Sequence, residues 1–291
     1  MKTIGDYLIM VIGILGSIAS IIALYAFFEE LSKEGWIAVL FLGLICIYFI
    51  VYNFWLLSIY RKKTRYADAF AIINIGFSGL HQLRRKQNPT IEDILSELKT
   101  VCNNLSEVFG RIYNMNIGVS IKYIVSGNES RPKVETLVRD QKSMTAGRQT
   151  GTNDKVEHWI DSNTDFNFIY NNIENPNKDV SFFLEKHLPN RIDYKNTRLE
   201  DPWKTKQYWY PIERIYRKIN WPLKYKSTLV VPIVPLQADE QNKSTIRGFL
   251  CVDSPHEGQF NKSFDVAIMK GVADGLYNQI DNIYLLNKQN S

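Results

Sequence analysis

Two uncharged runs open the chain. Residues 7–28, Tyr7 to Phe28, and residues 36–60, Trp36 to Tyr60, contain no Asp, Glu, Lys or Arg. At about 1.5 Å of rise per residue, each is long enough as a helix to cross a hydrocarbon core of about 30 Å. Buried helices of soluble cores rarely stay uncharged beyond ~14 residues, so the pair predicts a two-helix transmembrane hairpin over residues 1–60. A cleaved signal peptide fits the first run poorly. Lys2 is its only upstream base, the apolar stretch is too long, and a second span follows at once.

Behind the hairpin the pattern turns helical. Tyr66, Phe70, Ile73, Phe77 and Leu80 alternate at spacings of four and three, which predicts a juxtamembrane linker helix in residues 61–88. Gln87-Asn88-Pro89 ends it, because proline disfavours helical backbone in the residue before it. Thr90 then reads as an N-cap, with Glu92 and Asp93 placed where carboxylates complement the helix dipole. Ile91, Ile94, Leu98, Val101, Leu105, Val108 and Ile112 draw the next stripe, either a coiled-coil seam or a helix packed on its own domain's sheet.

From Ile117 the period shortens to two. Residues 117–125 and 133–139 read as strands, with Ser126–Pro132 as the turn between them. Residues 141–155 show no apolar period and are expected to form a mobile loop. A mixed region with short helices follows to about Leu223. Ser227–Leu236 and Thr245–Asp253 are strong strands joined by a polar hairpin loop, and Met269, Val272, Leu276, Ile280 and Ile283 line a final helix from about Ser263 to Leu286. Helix, two strands, an interrupted middle, a hairpin and a closing helix predict an α+β domain over residues 89–291. Its antiparallel sheet would carry the terminal helices on one face.

Charge adds orientation. Arg61, Lys62, Lys63 and Arg65 follow the second span, whereas Glu29–Gly35 carries three glutamates and one lysine. The positive-inside rule then puts both termini in the cytoplasm, with the chain a two-span protein of the cell membrane. Much of the net charge of +5 belongs to this cluster, which suits the lipid bilayer as a partner and gives no case for nucleic acid. Three cysteines without CxxC spacing form neither a disulfide framework nor a zinc site, and the four histidines stand singly, so no metal is implied. Phosphate loops, His-Glu-x-x-His, Gly-x-Ser-x-Gly and kinase signatures are absent. The chain is expected to be non-enzymatic and to need no cofactor.

One stretch resembles a known family. Tyr225-Lys226-Ser227-Thr228-Leu229-Val230-Val231-Pro232-Ile233, then Gly248-Phe249-Leu250-Cys251-Val252-Asp253, then Gly258-Gln259-Phe260 and the last helix resemble the C-terminal half of a GAF domain. The resemblance is clear over residues 225–286 and extends upstream to 91 by element order. It implies a small-molecule site on the sheet face opposite the terminal helices, under a lid formed here by residues 202–226. The departures from family patterns matter too. Asp253-Ser254 stands where cyclic-nucleotide-binding members carry Asn-Lys, neither soluble cysteine suits bilin attachment, and Cys102 and Cys251 belong to distant elements.

The lid segment holds seven basic residues, seven aromatics and the single acid Glu213. Such a mixture suits a nucleotide, since aromatic faces stack on bases and guanidinium forks grip phosphates; it equally describes a solvated basic face over aromatic packing. On the first reading, Trp209 or Tyr216 stacks on the ligand, Arg217 meets its negative charge, and Ser227 and Asp253 offer polar contacts beside Cys251. Gly13, Gly16, Ser17, Ser20 and Ala23 share one face of the first span, and with the 91–112 stripe they lead us to expect a homo-oligomer. Three functions fit: a membrane-anchored sensor or effector of a small anionic or nucleotide-like ligand, a ligand-free platform for protein interaction or oligomerisation, and a membrane effector of a defence pathway.

Overall fold

The computed structural model describes residues 33–86, 89–126, 131–148, 150, 156–174, 181–199, 210–235 and 245–289, with Gly16, Ser20 and Ala23. The first expected span lies outside the described residues except at those three positions, where the Ser20 hydroxyl donates to the Gly16 carbonyl at 2.8 Å. The chain divides into two compact units, Met1–Thr64 and Arg65–Ser291.

In the first unit, the described residues belong chiefly to helix α1, which runs over Lys33–Arg85 and so continues past the unit boundary. One helix among the described residues, over Val39–Arg85, is long and apolar enough to cross a membrane. Leu40, Phe41, Leu44, Phe49 and Phe54 are exposed along it, and the Asn53 amide donates to the Phe49 carbonyl one turn back.

The second unit is an α+β domain. Its further elements are α2 (Ile91–Tyr113), β1 (Gly118–Ser126), β2 (Pro132–Arg139), α3 (Gln141–Thr145), β3 (His158–Trp159), α4 (Thr164–Asn172), β4 (Phe183–Glu185), α5 (Tyr210–Ile219), β5 (Ser227–Ile233), β6 (Gly248–Ser254) and α6 (Phe264–Gln289). The six strands form one sheet in the order β3-β2-β1-β6-β5-β4, every neighbouring pair antiparallel.

Residue pattern decides which face each helix covers. Thr90 caps α2 as expected. Its hydroxyl accepts the Asp93 N–H at 3.2 Å while its own N–H donates back to Asp93 at 3.0 Å. At the other end Asn114 takes left-handed backbone and its N–H bonds to the Gly110 carbonyl. From Ile94 to Ile112 the α2 stripe is buried against Val119, Ile121, Leu229, Val231, Leu250 and Val252, together with Met269, Val272, Leu276, Ile280 and Ile283 of α6. The stripe therefore packs on its own sheet, and the coiled-coil alternative falls away. Tyr66, Ala69, Leu80 and Leu83 of α1 enter the same core, so the helix after the basic cluster is part of this domain's packing.

Gly248, where β6 begins, is required sterically. A Cβ there would lie 2.0 Å from the Lys122 carbonyl oxygen across the strand pair. Phe260, also from the stretch that carries the family resemblance, sits buried at φ 70°, edge-on to Phe109 and Tyr113. Two expectations need correction. Residues 141–145 form helix α3, because the Asp140 carboxylate caps it by accepting the Ser143 N–H at 2.8 Å and also takes the Val119 N–H at 2.8 Å. The strands β5 and β6 cover Ser227–Ile233 and Gly248–Ser254. The hairpin loop expected between them, residues 237–244, lies outside the described residues.

Candidate functional site

Alternation along β1, β5 and β6 turns Ser120, Lys122, Thr228, Val230, Cys251 and Asp253 away from the α2 and α6 side. On that opposite face Ile160, Phe166, Ile169, Phe183, Leu188, Tyr194 and Leu223, from described residues between β2 and β5, form a second core with Val134, Val230 and Phe249 that closes much of the space. What remains is a cavity of about 300 Å³, at the small end of the range for ligand sites.

Its lining is basic. Lys122, Arg139, Arg148, Arg198 and Lys224 stand against two carboxylates, Asp165 and Asp253, with Ser120, His158, Asn163, Asn196, Tyr225 and Thr228 adding polar atoms. Asp253 is already engaged: Arg148 donates to it at 3.2 Å and the Thr228 hydroxyl at 2.8 Å. Gly118 makes that approach possible, since a Cβ there would sit 2.8 Å from the Arg148 guanidinium. Arg148 also lies over the Tyr225 ring, 5.5 Å from its centre. Lys122 donates to the Thr136 hydroxyl at 3.0 Å and lies 5.7 Å from the centre of the Phe166 ring, which packs on Phe249.

Arg139 differs from these. It is 8% exposed, and its Nε has no hydrogen-bond partner among the described residues. Burial and the nearby Arg148 both work against the charge on its guanidinium, while Asp253 favours it. Burial likewise pushes the Lys122 ammonium below the usual lysine range. Asp165, buried in the first turn of α4, is pushed up to about 6 by burial, with the Phe166 N–H and the Lys122 charge opposing the rise. The Cys251 and Cys102 thiols are raised by burial, and the sheet separates them: Cys102 is in the helix-face core, Cys251 on the cavity side.

Six residues were expected at the site. Cys251 and Asp253 line this cavity. Ser227 does not: one residue of register turns it to the other face, where its hydroxyl donates to the His256 carbonyl at 2.7 Å, and Thr228 takes the place beside Asp253. Arg217 is buried on a neighbouring cavity, Tyr216 is exposed on α5, and Trp209 lies outside the described residues. Lys122, Arg139, Arg148 and Asp165 were not anticipated. Lys122 had a readable signal, a lysine at an alternate position in an otherwise β-rich run. Arg148 and Asp165 come from segments with no strand pattern at all.

No protein-family model and no curated protein matches the chain. Solved structures to which it is similar include GAF domains. The GAF domain from a phosphoenolpyruvate-protein phosphotransferase of Coxiella burnetii is 11% identical with a TM-score of 0.41, the match covering 76% of this chain and 98% of that one. The chromophore-binding domain of a bacteriophytochrome from R. palustris is 12% identical with a TM-score of 0.41, covering 76% of this chain and 62% of that one. A type II free methionine-R-sulfoxide reductase from Thermoplasma acidophilum is 14% identical with a TM-score of 0.37, covering 66% and 94%.

Proposed function

We propose that this protein is a membrane-anchored, non-enzymatic sensor or effector whose α+β domain takes a small anionic, nucleotide-like molecule into the cavity beneath Arg139. The observation that carries the reading is a buried guanidinium whose Nε has no hydrogen-bond partner among the described residues, on a wall where five described cations meet two carboxylates. An oxyanion would accept from that donor and offset the excess charge, and Tyr225 and Phe166 offer ring surface for a base. For transmission, Thr228 and Val230 of β5 line the cavity, while Leu229 and Val231 meet the face on which α6 packs. At the start of α6 the Asp265 carboxylate accepts the Tyr66 hydroxyl of α1 at 2.8 Å. Anchoring, two spans and cytoplasmic termini are part of the same proposal, supported by the apolar stretch of α1 and the basic residues after Tyr60.

The test is thermal unfolding of the full chain in detergent against mono-, di-, tri- and cyclic nucleotides. A ligand at a hundred times its dissociation constant stabilises by about 2.7 kcal/mol, a shift of a few degrees. Arg139→Gln should abolish that shift; a shift that survives the substitution places binding elsewhere.

One observation favours a second reading, an interaction or oligomerisation platform. Ile212, Ile215, Tyr216 and Ile219 are all exposed on α5 at spacings that put them on one face. No response to any nucleotide, together with loss of self-association in Ile215→Asp, would put this reading ahead.

A further inference from the structure

Two charged side chains of opposite sign on the cavity wall are more than nine-tenths buried: Arg139 of β2, 8% exposed, and Asp165 of α4, 4% exposed. Arg139 carries a donor, Nε, without a partner among the described residues. Asp165 has the complementary deficit. Its Oδ1 accepts the Phe166 N–H at 3.0 Å, and no side chain among the described residues donates to the carboxyl. A carboxylate offers about four lone-pair positions, so much of its accepting capacity is left. The nearby cation does not use it, since Lys122 gives its ammonium to the Thr136 hydroxyl at 3.0 Å. The cavity's other carboxylate is in the opposite situation, because Arg148 and Thr228 already donate to Asp253. A buried carboxylate short of donors is costly, and a ligand that brings N–H groups would satisfy it.

Resting on the nucleotide reading above, we infer that Asp165 is the base-reading residue of this cavity and selects guanine. The Watson–Crick edge of guanine carries two adjacent donors, N1–H and the N2 amino group, which a carboxylate accepts together as a bidentate pair. Adenine sets an acceptor, N1, beside its N6 amino group, so one carboxylate oxygen would face a lone pair, and that clash rejects it. Hypoxanthine keeps the N1–H and lacks the amino donor. With the phosphate at Arg139, one ligand satisfies both buried groups, and Phe166, next to Asp165 on the same wall, offers ring surface to the base.

Ionisation decides which edge is accepted. The neutral acid is donor and acceptor at once, the pattern that adenine matches. Asp165 is pushed up to about 6, chiefly by burial. Lys122, Asp253 and Cys251 of the sheet and Tyr194 and Tyr225 of the covering segments act on it or feel it, and Arg139 and His158 share its cavity. The carboxylate therefore prevails at pH 7.5 and the acid at pH 5.

Equilibrium dialysis of the full chain in detergent tests the inference, with GMP, IMP and AMP and the matching triphosphates as probes. At equal phosphate number the phosphates titrate alike, so affinity ratios report on the base. At pH 7.5 wild type should bind the guanine nucleotide at least about fivefold more tightly than the adenine one, the discrimination of a bidentate pair, with hypoxanthine between. Asp165→Asn should lose that preference, because an amide presents one donor and one acceptor, and its ratio should not change with pH. Wild type at pH 5 should lose the preference as well, a readout that needs no variant to fold. Arg139→Gln should weaken all the nucleotides and leave their order. Equal binding of guanine and adenine nucleotides by wild type, a ratio that stays constant between pH 7.5 and 5, or a guanine preference that Asp165→Asn keeps, overturns this inference and leaves the nucleotide reading standing. Binding of no nucleotide by wild type overturns both.

Discussion

Asp165 shows how one side chain serves the cavity at a cost to the fold. Its carboxyl titrates near 6, raised chiefly by burial. The neutral form is therefore the one that folding favours. The stabilising effect is complete below the ordinary carboxylate range near 4, and is lost as pH rises through about 6, leaving a deficit of up to about 3 kcal/mol above that. Asp165→Asn keeps an acceptor for the Phe166 N–H and removes the charge. Its unfolding midpoint should stay level between pH 4 and 7.5 relative to wild type, which should fall over that window. At pH 7.5 the variant should be the more stable protein. Parallel pH curves for the two would show that the carboxylate is not buried as described.

Strand geometry sets which residues reach the cavity. β1 and β2 pair Ile121 with Val138 but Lys122 with Thr136, so Leu137 is extra on its strand. That bulge reverses parity. Arg139 pairs with Ser120 and shares the cavity face with Thr136 and Val134, a face that simple alternation from Lys133 would have denied it. The tight point at β6 comes from its pairing on both sides, since Gly248 faces Tyr123 of β1 and Ile233 of β5. Gly248→Ala must move strand backbone, and a destabilisation of at least about 2 kcal/mol is expected by thermal or urea unfolding in detergent. Gly79→Ala on α1 makes the contrasting control. The atom it would meet is the carboxylate end of Glu97, which can swing aside, so little loss is expected.

At the scale of the whole molecule, the proposal joins an apolar helix to a domain that carries its cavity on one face and its terminal helices on the other. The prediction that belongs here is topology. In a Cys46→Ser background, a cysteine at Ser32 should react with an impermeant thiol reagent in intact cells, and one at Ser291 should not. Labelling at Ser291 alone would reverse the orientation, and labelling at neither would remove the case for an exposed loop between two spans.

Helix and strand periods, the Thr90 cap and the uncharged runs are local properties. They depend on residues within a turn or two of one another, so the chain's sequence specifies them without help, and the α+β element order followed from them. The cavity is another matter. Arg139 reaches it through a bulge, Thr228 displaces Ser227 by a single step of register, and Arg148 and Asp165 arrive from segments whose positions are set by Asp140 and Asn163 contacts across the fold. Those placements depend on which backbone groups meet across strands and loops many residues apart. No local pattern encodes that, and only the folded sheet, with its register and its one bulge between β1 and β2, decided it.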